Sequence, residues 1–302
     1  VLDINKDKLH PAFGLRLFEN KAYQRYVASF GNGILAHRSA IGWDEIKGSY
    51  MPLPPYQEQQ TIANYLDKVT AKIDTLIEKQ TKLIELLKEK RQAVISAAVT
   101  RGLDNTVAMK DSGFEWLGEI PEGWKVTKLR YIFSFGKGLT ITKANLVDEG
   151  VPCVNYGEVH SKYGFEVDAG KHPLKCVDRS YLADSKSSFL SIGDFVFADT
   201  SEDLEGAGNF THVSSEAEMF AGYHTIIARQ IDNNSYRFLA YLIDSQVFRN
   251  QIRLSVKGVK VFSITQAILR ASISWLPDLK EQQTIANYLD DKTSKIDSLI
   301  AK

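Results

Sequence analysis

Residues Glu58–Lys79 read EQQTIANYLDKVTAKIDTLIEK, and Glu281–Lys302 read EQQTIANYLDDKTSKIDSLIAK. The copies are offset by 223 residues and agree at 17 of 22 positions. A repeat this close sets the architecture, because both copies must be built from one supersecondary unit. Each follows a proline-bearing lead, LPPYQ at Leu53–Gln57 and LPDLK at Leu276–Lys280. Proline there ends a strand and suits a helix entrance. The likeness extends upstream. Leu17, Phe18, Tyr23 and Val27 match Leu242, Ile243, Phe248 and Ile252 at an offset of 225, as Gly33 matches Gly258. Ile41 matches Ile264 at 223, so the first copy holds two extra residues between. The repeated unit reads as a short helix, a glycine loop, a strand-like stretch and a long helix.

Along the first long helix, apolar residues fall at Ile62, Leu66, Val69, Ile73, Leu76, Leu83, Leu87, Val94 and Ala97, with Gln80 and Lys90 in the two gaps. Steps of four and three describe a heptad seam of about five repeats. Such a helix is about 60 Å long, and Gly102 is a natural stop. Tyr65, Ile77 and Ile84 flank the seam and widen the stripe beyond a two-stranded contact. The second copy keeps Ile285, Leu289, Ile296 and Leu299, with Tyr288 at the place of Tyr65 and Lys292 replacing Val69. These residues fit an antiparallel internal hairpin. They also fit a hairpin on which partner helices, or a second copy of the chain, dock.

With 302 residues, the chain is long enough for about two domains. No apolar run approaches a membrane span, and the first residues lack the apolar core of a signal peptide. Cys153 and Cys176 are the only cysteines. Two isolated thiols suit a reducing cytoplasm, one disulfide remains open, and without a CxxC zinc is not expected. The polar stretch 102–113 reads as a linker. After it, short strands are expected at Lys128–Phe135, Phe189–Ala198, Met219–Ala228 and Ser272–Leu276, and a helix at Tyr236–Arg253. The expected fold is α+β: a mixed α/β domain over 114–278, joined to spacer helices at 57–101 and 279–302 and preceded by a partial domain at 1–56.

Net charge is zero and says nothing of a nucleic-acid partner. The middle domain, 114–278, carries 17 Lys/Arg against 20 Asp/Glu. Its distribution is uneven. Ser245–Pro277 holds no acid but has Arg249, Arg253, Lys257, Lys260 and Arg270; the equivalent Asn20–Trp43 is also acid-free and holds Lys21, Arg25, His37 and Arg38. A bias present in both copies suits phosphate contact, with a solvated face as the alternative. FGKGLTITK at Phe135–Lys143 offers Lys137, Thr140, Thr142 and Lys143 beside glycines, and Asn155, Tyr156 and Glu158 follow a short strand from which base edges are within reach. An ordinary turn is the competing account of each.

Catalytic motifs fail on inspection. Pro54-Pro55-Tyr56 ends like the Pro-Pro-Tyr motif of adenine-amino methyltransferases, but Leu53 cannot accept from an amino group. Ser134–Gly138 (SFGKG) misses the cofactor-binding F-x-G-x-G, and Glu45-Ile46-Lys47 lacks the Pro-Asp of nucleases. There is no Walker loop. No nucleophile–base arrangement stands out among the six histidines. The expected role is recognition without catalysis.

The chain resembles the specificity subunit (HsdS) of type I restriction–modification enzymes. WLGEIPEGWKVTKL at Trp116–Leu129 resembles the opening of a target-recognition domain. The two LPxxxEQQTIANYLD stretches resemble its closing into a spacer helix, and SIGDFVFA at Ser191–Ala198 an internal strand. The resemblance implies two recognition domains, each reading half of a split double-stranded DNA target, held apart by antiparallel spacer helices. It also implies modification subunits that dock there and methylate adenine with S-adenosylmethionine, and restriction subunits that use ATP and Mg. No cofactor is expected in this chain. Against that pattern the chain holds one full reader and part of another, lacking a first WLGEIP-type opening. A coiled-coil interaction protein, or a silent recombination cassette of the same family, is the rival reading.

Overall fold

The computed structural model describes residues 5–30, 41–256, 258 and 261–302. The chain divides into two compact units, Val1–Glu85 and Leu86–Lys302.

In the first unit, α1 (Pro11–Glu19), α2 (Lys21–Ala28) and α3 (Trp43–Gly48) precede α4 (Tyr56–Arg101). Pro11 opens α1, where its missing N–H costs nothing. Asn20 opens α2 by accepting from the N–H groups of Ala22 and Tyr23. Phe13 and Leu17 bury against Ala63 of α4, with Leu9, Met51 and Ile62 around them. α4 is a single helix of 46 residues, and Gly102 (φ +73°) stops it as expected.

The second unit runs β1 (Met109–Asp111), β2 (Glu119–Pro121), β3 (Lys125–Lys128), β4 (Phe133–Lys137), β5 (Val151–Val154), α5 (Tyr156–Ser161), β6 (Phe165–Val167) and β7 (Cys176–Val177). It continues with α6 (Tyr181–Asp184), β8 (Phe195–Ala198), β9 (Thr200–Ser201), β10 (Phe210–Val213), β11 (Phe220–Ala221) and β12 (Thr225–Gln230). It closes with α7 (Tyr236–Asp244), α8 (Gln246–Ser255), β13 (Phe262–Ser263), α9 (Gln266–Ala271), β14 (Ile273–Leu276) and α10 (Leu279–Ile300). The main sheet has the order β4-β12-β8-β10-β6, antiparallel except for β6 beside β10. Every residue of β8 is buried, as a central strand covered on both faces requires. Gly193 (φ +84°) makes the turn before it. Asp194 holds that turn, accepting from the Ser191 N–H at 3.0 Å and from Arg229 at 3.1 Å. The SIGDF run is thus a strand entrance. The architecture is α+β.

The core of this unit joins the last turns of α4 to the sheet. Ile95, Ala98 and Val99 pack with Trp124, Trp275, α7 and the Ile285, Ala286 and Leu289 face of α10. The Trp275 indole donates to the Val99 carbonyl at 2.6 Å, and Trp124 donates to Glu281 at 3.1 Å. The buried face therefore departs from the heptad reading at its end: Ile95, Ala98 and Val99 are buried, while Val94 is half-buried and Ala97 exposed.

Other expectations shift for local reasons. The helix expected over Tyr236–Arg253 is two, because Ser245 takes an extended conformation (ψ 142°) and its hydroxyl caps Phe248. A 3-10 turn at Leu129–Tyr131 breaks the first expected strand. The strand expected over Met219–Ala228 divides around a turn at 222–224. The 102–113 stretch is not all linker, since β1 pairs with β2. Cys153 and Cys176 are buried and free.

The repeat recurs in the helices of the two copies. α1 corresponds to α7 and α3 to α9, with both ends of each falling at the sequence offsets 225 and 223. Asn20 and Ser245 are equivalent caps. In each copy one glutamine ties the helix start to the segment before it. Gln59, 1% exposed, accepts from the His10 N–H at 2.8 Å and donates to the carbonyls of Lys8 and Pro54. Gln282, 2% exposed, accepts from the Ser235 N–H at 2.9 Å and donates to the Pro277 carbonyl and to Asn234. β14 pairs with β3. The matching residues 50–53 of the first copy form no strand among the described residues. No described helix is long and apolar enough to cross a membrane.

Candidate nucleic-acid interface

The turn between β11 and β12, Gly222-Tyr223-His224, is clamped from three sides. The Gly222 N–H donates to the Val154 carbonyl at 2.7 Å, and the Tyr223 carbonyl accepts from the Tyr156 N–H at 3.3 Å. On another side the Leu139 N–H donates to the Ala221 carbonyl at 2.8 Å, and the Gly138 N–H to Thr225 at 3.2 Å. On the third, the Asp199 N–H donates to the His224 carbonyl at 3.1 Å. Two of the glycines are forced. A Cβ on Gly138 would lie 2.0 Å from the Gly222 carbonyl oxygen, and one on Gly222 would lie 2.0 Å from the Asn155 side-chain oxygen. Glycine at 138 lets two backbones approach so closely, and glycine at 222 leaves room for the buried Asn155 side chain.

Two adjoining cavities open on this turn. One, of about 600 Å³, is lined by Lys137, Thr140, Asp199, Tyr223, His224 and Gln266, among others. The other, of about 690 Å³, is lined by residues including Thr142, Lys143, Tyr156, His160, Ser201 and His224. Ile141, Tyr223 and His224 belong to both. Lys137, Thr140, Thr142 and Lys143 are exposed along their rim, and Tyr156 is half-buried with its ring edge-on to Tyr223 and His224 at 5.9 and 5.8 Å. Burial pushes the Tyr223 phenol above its usual value, so it stays a neutral donor and acceptor. The arrangement combines two lysines, hydroxyls, an aromatic cluster and a histidine–aspartate pair in an open groove.

Three of the expected contact residues make contacts within the chain. Asn155 is 1% exposed: its side chain caps α5 and donates to the Cys153 carbonyl at 3.3 Å, so burial removes it from any base edge. Arg249 turns inward, 3.4 Å from Asp244, and also donates to Asn209. Burial drives the Asp244 carboxyl up from its usual range, opposed by Arg249 and Arg91. The charge of Arg249 is therefore spent on an acid one residue outside the acid-free stretch. Arg253 donates to the Glu205 carbonyl at 2.9 Å, tying α8 to that loop. Lys257, Lys260 and Arg38 lie outside the described residues.

The helix residues separate into two sets. Ile285, Leu289 and Ile296 are buried, and Ile62, Leu66, Val69, Ile84 and Leu87 are half-buried. Tyr65, Ile73, Leu76, Ile77 and Leu83 are exposed on α4, as are Tyr288 and Leu299 on α10. Arg91 of α4 pairs with Asp297 of α10 at 3.1 Å, the contact of an antiparallel pair. Among the described residues no cluster of acids, histidines and cysteines has the makings of a metal site.

Sequence reasoning missed Tyr223, His224, Asp199 and His160. The signal was Gly222-Tyr223-His224 inside a run taken for one strand, since glycine in a strand marks a bulge or a close approach.

Residues 121–301 match the family described as the type I restriction modification DNA specificity domain. The chain is 27% identical over 259 residues to the type I restriction enzyme MjaVIII specificity subunit of Methanocaldococcus jannaschii, covering 83% of this chain and 56% of that protein. It is 31% identical over 186 residues to the putative MjaX specificity subunit of the same organism, covering 59% and 41%. With the EcoBI specificity subunit of Escherichia coli it shares 24% over 272 residues, covering 84% and 53%. The chain spans about half the length of the curated relatives it matches. A chain from a solved structure on complex assembly and conformational transition of the type I R-M system aligns with a TM-score of 0.74 at 15% identity, covering 99% of this chain and 67% of that one. The HsdS subunit from Thermoanaerobacter tengcongensis aligns with a TM-score of 0.54 at 15% identity, covering 99% and 66%. These structural likenesses concern the fold.

Proposed function

We propose that this chain, which belongs to the family of type I restriction modification DNA specificity domains, is the DNA-reading subunit of a type I restriction–modification complex. The observation that carries the reading is the clamped turn and its groove. Lys137 and Lys143 on the rim suit phosphates, while Thr140, Thr142, Tyr156 and His224 offer donors and acceptors for base edges. A scaffold with no DNA role would use the helices and leave this interlocked turn without a purpose.

The reader reads part of a split double-stranded target. The exposed apolar residues of α4 in the first unit receive helices of modification subunits, and so, on the second unit, do Tyr288 and Leu299 of α10. Those subunits hold S-adenosylmethionine and methylate adenine, and restriction subunits bring ATP and Mg. This chain catalyses nothing itself. The test is to express it with candidate modification subunits and map methylated adenines across the host genome. Co-purification and a split methylated motif are expected; absence of both defeats the proposal.

A further inference from the structure

We infer that His224 is a specificity-determining residue, whose Nε2 accepts a hydrogen bond from the exocyclic amino group of an adenine or cytosine in the target. The inference rests on the DNA-reading proposal and adds an atom to it.

His224 is a non-glycine residue at φ +54°. Such a conformation persists only where the surroundings over-determine it, and it gathers at functional sites. Here the surroundings are on view. Asp199 holds the residue twice, through its backbone N–H at 3.1 Å and through its carboxylate, 3.2 Å from Nδ1. The ring stands edge-on to Tyr156 and Tyr223. Gly222 and Thr225 on either side are pinned to neighbouring segments, the Thr225 hydroxyl donating to the Gly222 carbonyl at 2.7 Å. With all this, the side chain remains 58% exposed and faces both cavities. A residue fixed by so many contacts yet left open to solvent is held for something outside the chain.

The carboxylate sets the tautomer. A carboxylate only accepts, so Nδ1 carries the hydrogen. With the hydrogen on Nδ1, Nε2 presents a lone pair whenever the ring carries one hydrogen, and it has no hydrogen-bond partner among the described residues. In the major groove the groups that donate to such an atom are adenine N6 and cytosine N4; guanine and thymine offer only acceptors at the same edge. Asp199 is a positioning residue, acting through the ring.

The test is enrichment from a randomised duplex library, using the chain assembled with its proposed modification subunits. Wild type is compared with His224→Gly, His224→Asn and Asp199→Ala. Glycine and asparagine both tolerate positive φ, so the ring is lost without new strain, and melting curves confirm folding. The wild-type motif should contain a position favouring A or C on one strand. That preference should fall by roughly fivefold, the worth of one hydrogen bond, in His224→Gly, weaken in Asp199→Ala and shift in His224→Asn, whose amide both accepts and donates, with other positions unchanged. A wild-type motif that survives His224→Gly and His224→Asn at every position overturns the inference alone. A wild-type complex that enriches no motif overturns the DNA-reading proposal and this inference with it.

Discussion

Arg249 separates two accounts of a basic residue that its sequence context cannot separate. In an acid-free stretch it reads as a phosphate contact; in the structure it neutralises Asp244, whose side chain is 12% exposed. Removing Arg249 leaves the buried Asp244 carboxylate with Arg91 alone among the described cations, at 3.4 Å. Arg249→Ala should therefore destabilise the second unit by about 3 kcal/mol in urea unfolding. Unchanged stability with a flatter salt dependence of DNA binding would return it to the phosphates. His212 makes a second case. It is fully buried in β10, its Nδ1 donates to the Phe165 carbonyl at 2.5 Å, and burial pushes its pKa down to about 4. The unfolded ring titrates near 6.5. Between those values the unfolded chain binds more protons, so this contribution is whole above pH 6.5 and is lost as pH falls toward 4. It amounts to about 3 kcal/mol. In NMR titration the His212 ring should keep its neutral shift from pH 8 to pH 5; a midpoint near 6.5 would contradict this. Neither burial is visible in a sequence, where His212 stands in a mixed run, Asn209-Phe210-Thr211-His212-Val213-Ser214.

At the scale of elements, the repeat was legible because one helix-entry device is used twice. The identity of EQQTIANYLD has a stereochemical basis in Gln59 and Gln282, which satisfy the same backbone groups in each copy. Gln282→Ala orphans the Ser235 N–H and the Pro277 carbonyl and should cost about 2 kcal/mol. Hydrogen exchange should quicken at the start of α7 and leave α1 untouched, with Gln59→Ala giving the reverse. Exchange that quickens in both helices from either change would show the clamps to be coupled. The divided strands and the α7–α8 break were less legible. Their causes are single hydroxyl caps and close backbone approaches, which leave the hydrophobic pattern almost unchanged. The groove was half legible: Lys137, Thr140, Thr142, Lys143 and Tyr156 lie along it, while Asn155 and Arg249 went to the interior.

For the molecule as a whole, the exposed stripe on α4 is the feature that needs a partner. Tyr65, Ile73, Leu76, Ile77 and Leu83 are each at least half exposed, and contiguous apolar surface of this kind marks an interaction site. In the absence of modification subunits the chain should self-associate through this stripe. Light scattering should show mass rising with concentration; a monomer mass across a broad range would exclude it.

The frame made by Gly138 and Gly222 separates what folds the reader from what it presents. Glycine is required where the two backbones touch, yet the side chains of residues 223 and 224 emerge outside that contact. The side chain at 223 is therefore open to exchange without redesigning the domain, and at 224 to the residues that accept positive φ, and the sequence recognised changes with them. A change of target then needs a change of side chain at the turn, while the backbone contact beneath it keeps its glycine.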